Sequence, residues 1–191
     1  MTRRTTNWAT SRRRPLDRRA GRPRCSLTAG AVVARGRWLW FVHADSRLPA
    51  DWRQAFVHLD PAVDVVGGAF AFRLDSRAWQ ARWLERGVAW RVAVFGLPYG
   101  DQGIFVRRLV FQSMGGFAPI PLMEDVDFMR RLKRLGRVVH LSQGLVTSAR
   151  RWERRGWLAQ SLSNLTTLAL YFLGVSPARL ARRYDRSSNI S

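Results

Sequence analysis

Residues Trp38 to Val42, within Arg37-Trp-Leu-Trp-Phe-Val-His-Ala-Asp45-Ser46, form an unbroken apolar run rich in aromatics. A run without polar alternation suits a strand covered on both faces, as in the middle of a parallel sheet. Arg37–Val42 is therefore read as a central strand. The run ends abruptly at His43, Asp45 and Ser46, with Pro49 beyond. A carboxylate at the carboxyl end of a buried strand sits where open α/β sheets bind ligands. Asp45 can equally start the turn before the next helix.

Around this strand, strands alternate with helices. Leu27 to Arg35 is small and apolar, with Ser26 or Thr28 to cap a short helix and Gly36 to end it. Pro49 to Leu59 reads as a helix with Trp52, Ala55, Phe56 and Leu59 on one face. Val63 to Leu74 is a strand or a pair of strands, interrupted by Gly67-Gly68, where backbone can approach a neighbour closely. Arg77 to Phe95 is a helix whose stripe of Trp79, Trp83, Trp90 and Val94 is read as core. Gly96 to Gly103 is a loop, Ile104 to Arg107 a short strand and Leu109 to Met114 a short helix. A helix from about Glu124 to Leu135 turns Phe128, Met129, Leu132 and Leu135 inward, and Gly136 ends it. Val138 to Leu141 is a strand. The amphipathic helix Trp157–Leu173 carries Leu158, Leu162, Leu165, Ala169 and Phe172 on one side, and Ser176-Pro177 opens a basic turn through Tyr184. This order predicts an α/β domain with a mostly parallel sheet flanked by helices. Residues 1–26, with nine arginines and Asp17 as the sole acid, are read as a basic, disordered leader.

The charge balance is extreme. The chain carries +20, and Lys133 is its only lysine. Such a surface favours polyanions: nucleic acid, nucleotide phosphates or an anionic membrane. The single cysteine, Cys25, excludes an internal disulfide and a cysteine-based zinc site. No apolar run reaches the roughly 18 residues of a spanning helix, and the basic start lacks the apolar core of a secretory signal. The expected location is cytoplasmic, with peripheral contact at the inner face of the plasma membrane.

Against this background the 13 acids stand out where they cluster. Asp45 follows the central strand, Asp101-Gln102 lies in the glycine loop, and Glu124-Asp125-Val126-Asp127 opens a helix. All lie in loops or at element ends, where site residues concentrate. Clustered carboxylates suit a hard divalent cation, which wants oxygen ligands and bridges to phosphates. They also suit a general base that takes a proton from an attacking hydroxyl. Each has a plainer use, since acids in a first helical turn answer the helix dipole and Asp101 between glycines makes a turn.

Four motifs follow in order: His43-Ala-Asp45-Ser46, Tyr99-Gly-Asp-Gln-Gly-Ile-Phe-Val-Arg107, Met114-Gly-Gly-Phe117 and Pro121-Leu-Met-Glu-Asp-Val-Asp-Phe128. Together they resemble the family 2 glycosyltransferases, most nearly a bacterial subgroup whose members often lie near radical-SAM genes. Thr147-Ser-Ala-Arg-Arg-Trp-Glu-Arg-Arg-Gly156 and Gly174-Val-Ser-Pro-Ala-Arg-Leu-Ala-Arg182 resemble it too. The resemblance runs from about Leu27 to Tyr184 and implies a GT-A fold, a Rossmann-like nucleotide-binding sheet joined to an acceptor-binding half. It implies an inverting, metal-dependent transfer from a nucleotide-sugar donor to an acceptor hydroxyl, with a lipid among the acceptors to consider. By the same resemblance Asp45 would hold Mg²⁺ or Mn²⁺ on the sugar diphosphate, and His43 takes the motif position where many relatives have Asp. Asp101 and Gln102 would line the sugar and acceptor pocket. Asp125, with Glu124 beside it, would supply the base, and Arg150 and Arg151 would meet the diphosphate or acceptor. Relatives begin with a strand, an acidic loop and a second strand that grip the nucleoside. That portion, of order 60–70 residues by normal domain size, is absent here. The expectation is a partial, N-terminally truncated transferase domain over 27–186, with an active and an inactive form both open.

Two other readings compete. A basic nucleic-acid-binding protein would use the net charge and the nine tryptophans, which can stack on bases. Against it, most tryptophans fall on helix stripes that need burial. The helix Trp157–Leu173, too polar to span, can lie in the headgroup plane of an anionic leaflet or pack on the sheet or a second copy.

Overall fold

The computed structural model describes residues 26–59, 62 and 64–188. Except for Ser26, the basic leader read at residues 1–26 lies outside the described residues. The elements in chain order are α1 (Ser26–Val33), β1 (Trp38–Trp40), α2 (Trp52–Leu59), β2 (Val65–Leu74), α3 (Trp79–Phe95) and a 3₁₀ turn at Gly100–Gln102. Then come β3 (Phe105–Arg107), α4 (Arg108–Ser113), α5 (Glu124–Leu132), β4 (Arg137–Thr147), α6 (Arg150–Arg155), α7 (Trp157–Phe172) and α8 (Pro177–Ser188). The fold is α/β, a four-stranded mixed sheet flanked by helices, and no helix among the described residues is long and apolar enough to cross a membrane.

The sheet order is β1-β3-β2-β4. β2 and β4 are parallel, while β3 runs antiparallel to both β1 and β2. The sheet is therefore mixed, not mostly parallel: three strands share one direction and β3 opposes them. The apolar run after Arg37 does not form a central strand either. β1 is an edge of the described sheet, and the middle belongs to β3 and β2. The run is apolar because both its faces are covered. Trp38, Trp40 and Val42 pack with Ala55, Phe70 and Phe105, and Leu39 and Phe41 with Phe111, Phe117 and Phe128. Unbroken hydrophobicity reports on the two faces of a strand and is silent about its edges.

β2 is one ten-residue strand; Val63, where the sequence reading starts it, lies outside the described residues. Its Gly67-Gly68 allows close neighbours. A Cβ on Gly67 would come 2.5 Å from Phe105 O, and one on Gly68 would meet Val139 O and, at 2.6 Å, Phe105 Cζ. Aromatic rings fill the core beside it: Trp40 stacks on Phe70 with centroids 4.5 Å apart, and Phe105 meets Phe70 edge-on at 5.8 Å. Such pairs add about 0.5–1.5 kcal/mol each beyond the area they bury.

The packing of α3 overturns the expectation, and that of α7 decides between readings the sequence left open. On α3, Trp79, Trp83 and Trp90 are 63–68% exposed, and Val94 faces solvent with them. The inward face of α3 carries Ala81, Glu85 and Val92, with Leu84 and Val88 packed alongside. Glu85 is buried because it is fully partnered: it accepts from Leu74 N (2.8 Å), Arg82 Nη2 (2.8 Å) and Arg73 Nη1 (3.2 Å). A charge so satisfied is tolerated inside. On α7 the stripe of Leu158, Leu162 and Leu165 also points outward, 60–80% exposed, while Gln160, Thr167 and Leu168 are buried. Leu135 follows the end of α5 and is exposed too, whereas Phe128, Met129 and Leu132 are fully buried.

Candidate functional site

The carboxyl end of β1 feeds a tight turn in which Ser46 N donates to His43 O (3.1 Å). The chain then crosses to the end of β4, where Arg47 and Val146 exchange both backbone hydrogen bonds (2.7 and 3.1 Å). This bridge carries Asp45 to the point where β4 hands over to α6. There Ala149 N donates to Asp75 Oδ1 (2.7 Å), which fixes the start of α6 and its arginines.

The glycine loop enters from the other side. α3 ends on Gly96 in a left-handed conformation. Gln102 is buried beneath the loop: its Oε1 accepts from Tyr99 N (3.1 Å) and its Nε2 donates to Phe70 O (3.3 Å). Gln102 thus holds the loop on β2 and does not line the pocket expected of it. Asp101, one residue earlier, does. The loop is locked to α5 by Gly100 N, which donates to Asp125 Oδ2 (2.6 Å), while Asp125 Oδ1 accepts from Val126 N (2.7 Å). Met123, just before α5, has φ 65° and is the only non-glycine with positive φ among the described residues. Such a backbone costs about 1–2 kcal/mol, and strain of this kind concentrates where side chains must be aimed. Asp127 is spent on structure, pairing with Arg131 (2.8 Å), whose other nitrogens donate to Met114 O and Gly116 O.

These segments enclose a cleft of about 820 Å³. One wall, from the sheet rim and α5, presents His43, Asp45, Tyr99, Asp101, Met123, Glu124 and Asp125. The other, from the end of β4 and from α6–α8, presents Thr147, Ser148, Arg150, Arg151, Trp152, Arg154, Arg155, Asn164, Thr167 and Tyr184. Seven of the eight site residues read from the sequence share this cleft, Gln102 being the exception. His140 lies on β4 opposite Ala69 and does not line it.

The electrostatics follow from crowding acids in a half-closed space. Burial pushes the Asp101 carboxyl up to about 6, with the Asp125 charge adding to it and Arg91, His43 and Arg151 opposing. Burial also raises Glu124 and lifts Tyr99 to about 12. Desolvation disfavours the charged form, and a neighbouring carboxylate acts in the same sense. The Arg91 guanidinium lies 3.6 Å from the Tyr99 ring centroid, and its Nε and Nη2 are buried without a hydrogen-bond partner. Arg91 was missed in the sequence because the aromatic stripe of its helix drew attention to another face; Asn164 and Thr167 were missed because they read only as polar interruptions of an amphipathic helix.

Across the cleft no ion pair joins the four acids Asp45, Asp101, Glu124 and Asp125 to the four arginines of α6. Arg151 donates to Tyr184 Oη (3.1 Å) and Arg155 to Gln160 Oε1 (3.1 Å), both neutral acceptors. Charges of both signs thus line one cleft without pairing directly with one another. Among the described residues no three His, Cys, Asp or Glu side chains gather closely enough to hold a metal by themselves. Asp45 lines the cleft as a single carboxylate, with His43 a nitrogen donor on the same lining; Mg²⁺, which wants oxygen ligands, would have to draw most of its ligands from a phosphate-bearing molecule and water. Comparison with protein-family models, with curated proteins and with solved structures found no match to this chain.

Proposed function

We propose that this cleft transfers a sugar from a nucleotide-sugar donor to an acceptor hydroxyl, with inversion at the anomeric carbon. The observation that carries the reading is the convergence of four carboxylates and four arginines, with no ion pair between them, on one cleft of about 820 Å³. The ordered motifs resembling family 2 glycosyltransferases supply the reaction class. A GT-A-like arrangement, in which the described sheet is the acceptor-proximal part, belongs to the same proposal.

In this reading Arg150 and Arg151 take the diphosphate, as guanidinium groups bind phosphate oxygens through paired hydrogen bonds. Asp45, with His43 two residues before it, would hold Mg²⁺ or Mn²⁺, which would supply charge neutralisation for the departing diphosphate. Asp125 accepts the proton of the attacking hydroxyl. Its orientation is set by the two backbone N–H groups that donate to it, which leave its outer lone pairs free. The hydroxyl oxygen bonds to the anomeric carbon, the bond from that carbon to the phosphate oxygen breaks, and the electron pair leaves with the nucleoside diphosphate. Asp101 and Glu124 face the sugar hydroxyls.

The test is Mn²⁺-dependent transfer or hydrolysis by the 191-residue chain across a panel of nucleotide sugars. Turnover should fall by about 10²–10⁴-fold in Asp125→Asn, the usual worth of a general base. Turnover unchanged in that variant, or no turnover and no nucleotide binding with any donor, would contradict the proposal.

One observation favours a second reading. Trp79, Trp83 and Trp90 are not buried, and Arg86 lies 5.7 Å from the Trp83 ring centroid. Exposed tryptophans beside arginines suit stacking on single-stranded nucleic acid. Retarded oligonucleotide migration that weakens steeply with salt and is lost in Trp83→Ala would support it.

A further inference from the structure

α7 is turned inside out relative to an ordinary surface helix. Its polar residues Asn164 and Thr167 face the cleft. Leu158, Leu162 and Leu165 face away from the protein, with no charged residue between Trp157 and Leu173. Surface helices normally point the apolar stripe at the core, so this stripe needs another cover. Its surroundings indicate which. Exposed arginines follow it, Arg179, Arg182 and Arg183 of α8, whereas those of α6 line the cleft. Arg130 lies 5.5 Å from the ring centroid of Phe172, at the far end of the stripe.

We infer that the leucine face of α7 inserts into the headgroup region of an anionic phospholipid bilayer, with the flanking arginines on the lipid phosphates. Three physical points select this occupant. An aliphatic stripe bordered by cations matches the two parts of an interfacial helix, apolar insertion and attraction to anionic lipid. Aliphatic leucines do not stack on bases, so nucleic acid would satisfy the arginines and leave the stripe exposed. A second copy would satisfy the stripe but press two arginine-bordered surfaces of chains carrying +20 each against one another. The geometry places the cleft, through the opposite face of the same helix, alongside the lipid headgroups. The inference stands whether or not the cleft transfers sugar.

The experiment is flotation of the full chain with vesicles of phosphatidylcholine alone and of phosphatidylcholine with phosphatidylglycerol. It is run beside Leu162→Ser/Leu165→Ser, a pair exposed enough to leave the fold intact, as circular dichroism and the melting temperature would verify. The wild type is expected to float with the anionic vesicles and weakly with neutral ones. The double variant should lose about tenfold or more of that partition, because burial of two leucines is removed. Equal flotation of variant and wild type would show that arginines alone bind, and would overturn the insertion. So would a wild type that does not float. So would a concentration-dependent dimer that the double variant dissociates while neither protein floats, which would assign the face to a second copy.

Discussion

The half of the molecule built on the sheet and the half built from α6–α8 solve the placement of apolar residues in opposite ways. Under the sheet, Trp40, Phe56, Phe70 and Phe105 close on one another with centroids 4.5–6.1 Å apart. In α7 Leu158, Leu162 and Leu165 look outward while Gln160 and Thr167 are buried. The cleft lies along the seam. Its acid wall inherits the rigidity of the sheet, with Asp125 tied by two backbone donors. Its arginine wall inherits the looser helical half, where Arg151 and Arg155 have only neutral side-chain acceptors. A carboxylate that must meet a reacting hydroxyl benefits from being fixed, whereas cations that must follow a leaving diphosphate need reach.

The contrast is sharpest in stability. Phe105→Ala, at the crossing of β3 and the aromatic cluster, should cost about 3–5 kcal/mol in urea unfolding, the usual range for a buried phenylalanine. A smaller loss would mean that the sheet half is not close-packed.

On the acid wall the expected sign reverses. Burial holds Asp101 at about 6 in the folded chain against 3.8 for a free aspartate side chain. The folded state therefore binds its proton more tightly than the unfolded one. Stability from this group is fully present below about pH 4 and is lost as pH rises through about 6. Asp101→Asn should accordingly raise stability at pH 8 by about 2–3 kcal/mol while lowering transfer. Wild-type stability that climbs between pH 4 and 6, after allowance for other acids by comparison with this variant, would refute the burial of that charge.

Gly100 sets the seam between loop and α5. A Cβ there would lie 3.3 Å from His43 Nε2 and 3.4 Å from Asp125 Oδ2. Gly100→Ala should lower turnover by about 10–100-fold through displacement of those groups, with the far-ultraviolet spectrum unchanged. Full activity in that variant would show that neither His43 nor Asp125 needs its present position.

The smallest effect is expected on the helical half. Leu165→Ser should change stability by no more than about 0.5 kcal/mol, the ordinary range for an exposed site. A cost of several kcal/mol would place that leucine in a core and undo the contrast.

How far these features were legible in the sequence depends on the kind of signal. Scarce acids after apolar runs in an arginine-rich chain mark the cleft well, because a carboxylate that is not solvating the surface is conspicuous there; Asp45, Asp101 and Asp125 share one wall. Gln102, adjacent to Asp101, could not be separated from it, since a turn of 3₁₀ helix sends neighbouring side chains to opposite sides. Periodicity located the aromatic face of α3 and misjudged what covers it, and on α7 it marked a face whose cover stayed open, because spacing reveals a face and not its neighbour. The edge position of β1 and the reversed direction of β3 were out of reach for a related reason. Hydrogen-bond partners along a strand leave no mark on its own composition, and a three-residue strand such as β3 carries almost no directional information.

The most direct measurement is calorimetric titration of the full chain with a nucleoside diphosphate in the presence of Mn²⁺. The two-walled cleft predicts binding that weakens at least about tenfold in Arg150→Ala/Arg151→Ala and loses its dependence on Mn²⁺ in Asp45→Ala. Binding that is indifferent to both changes, or no binding of any nucleoside diphosphate, would contradict it.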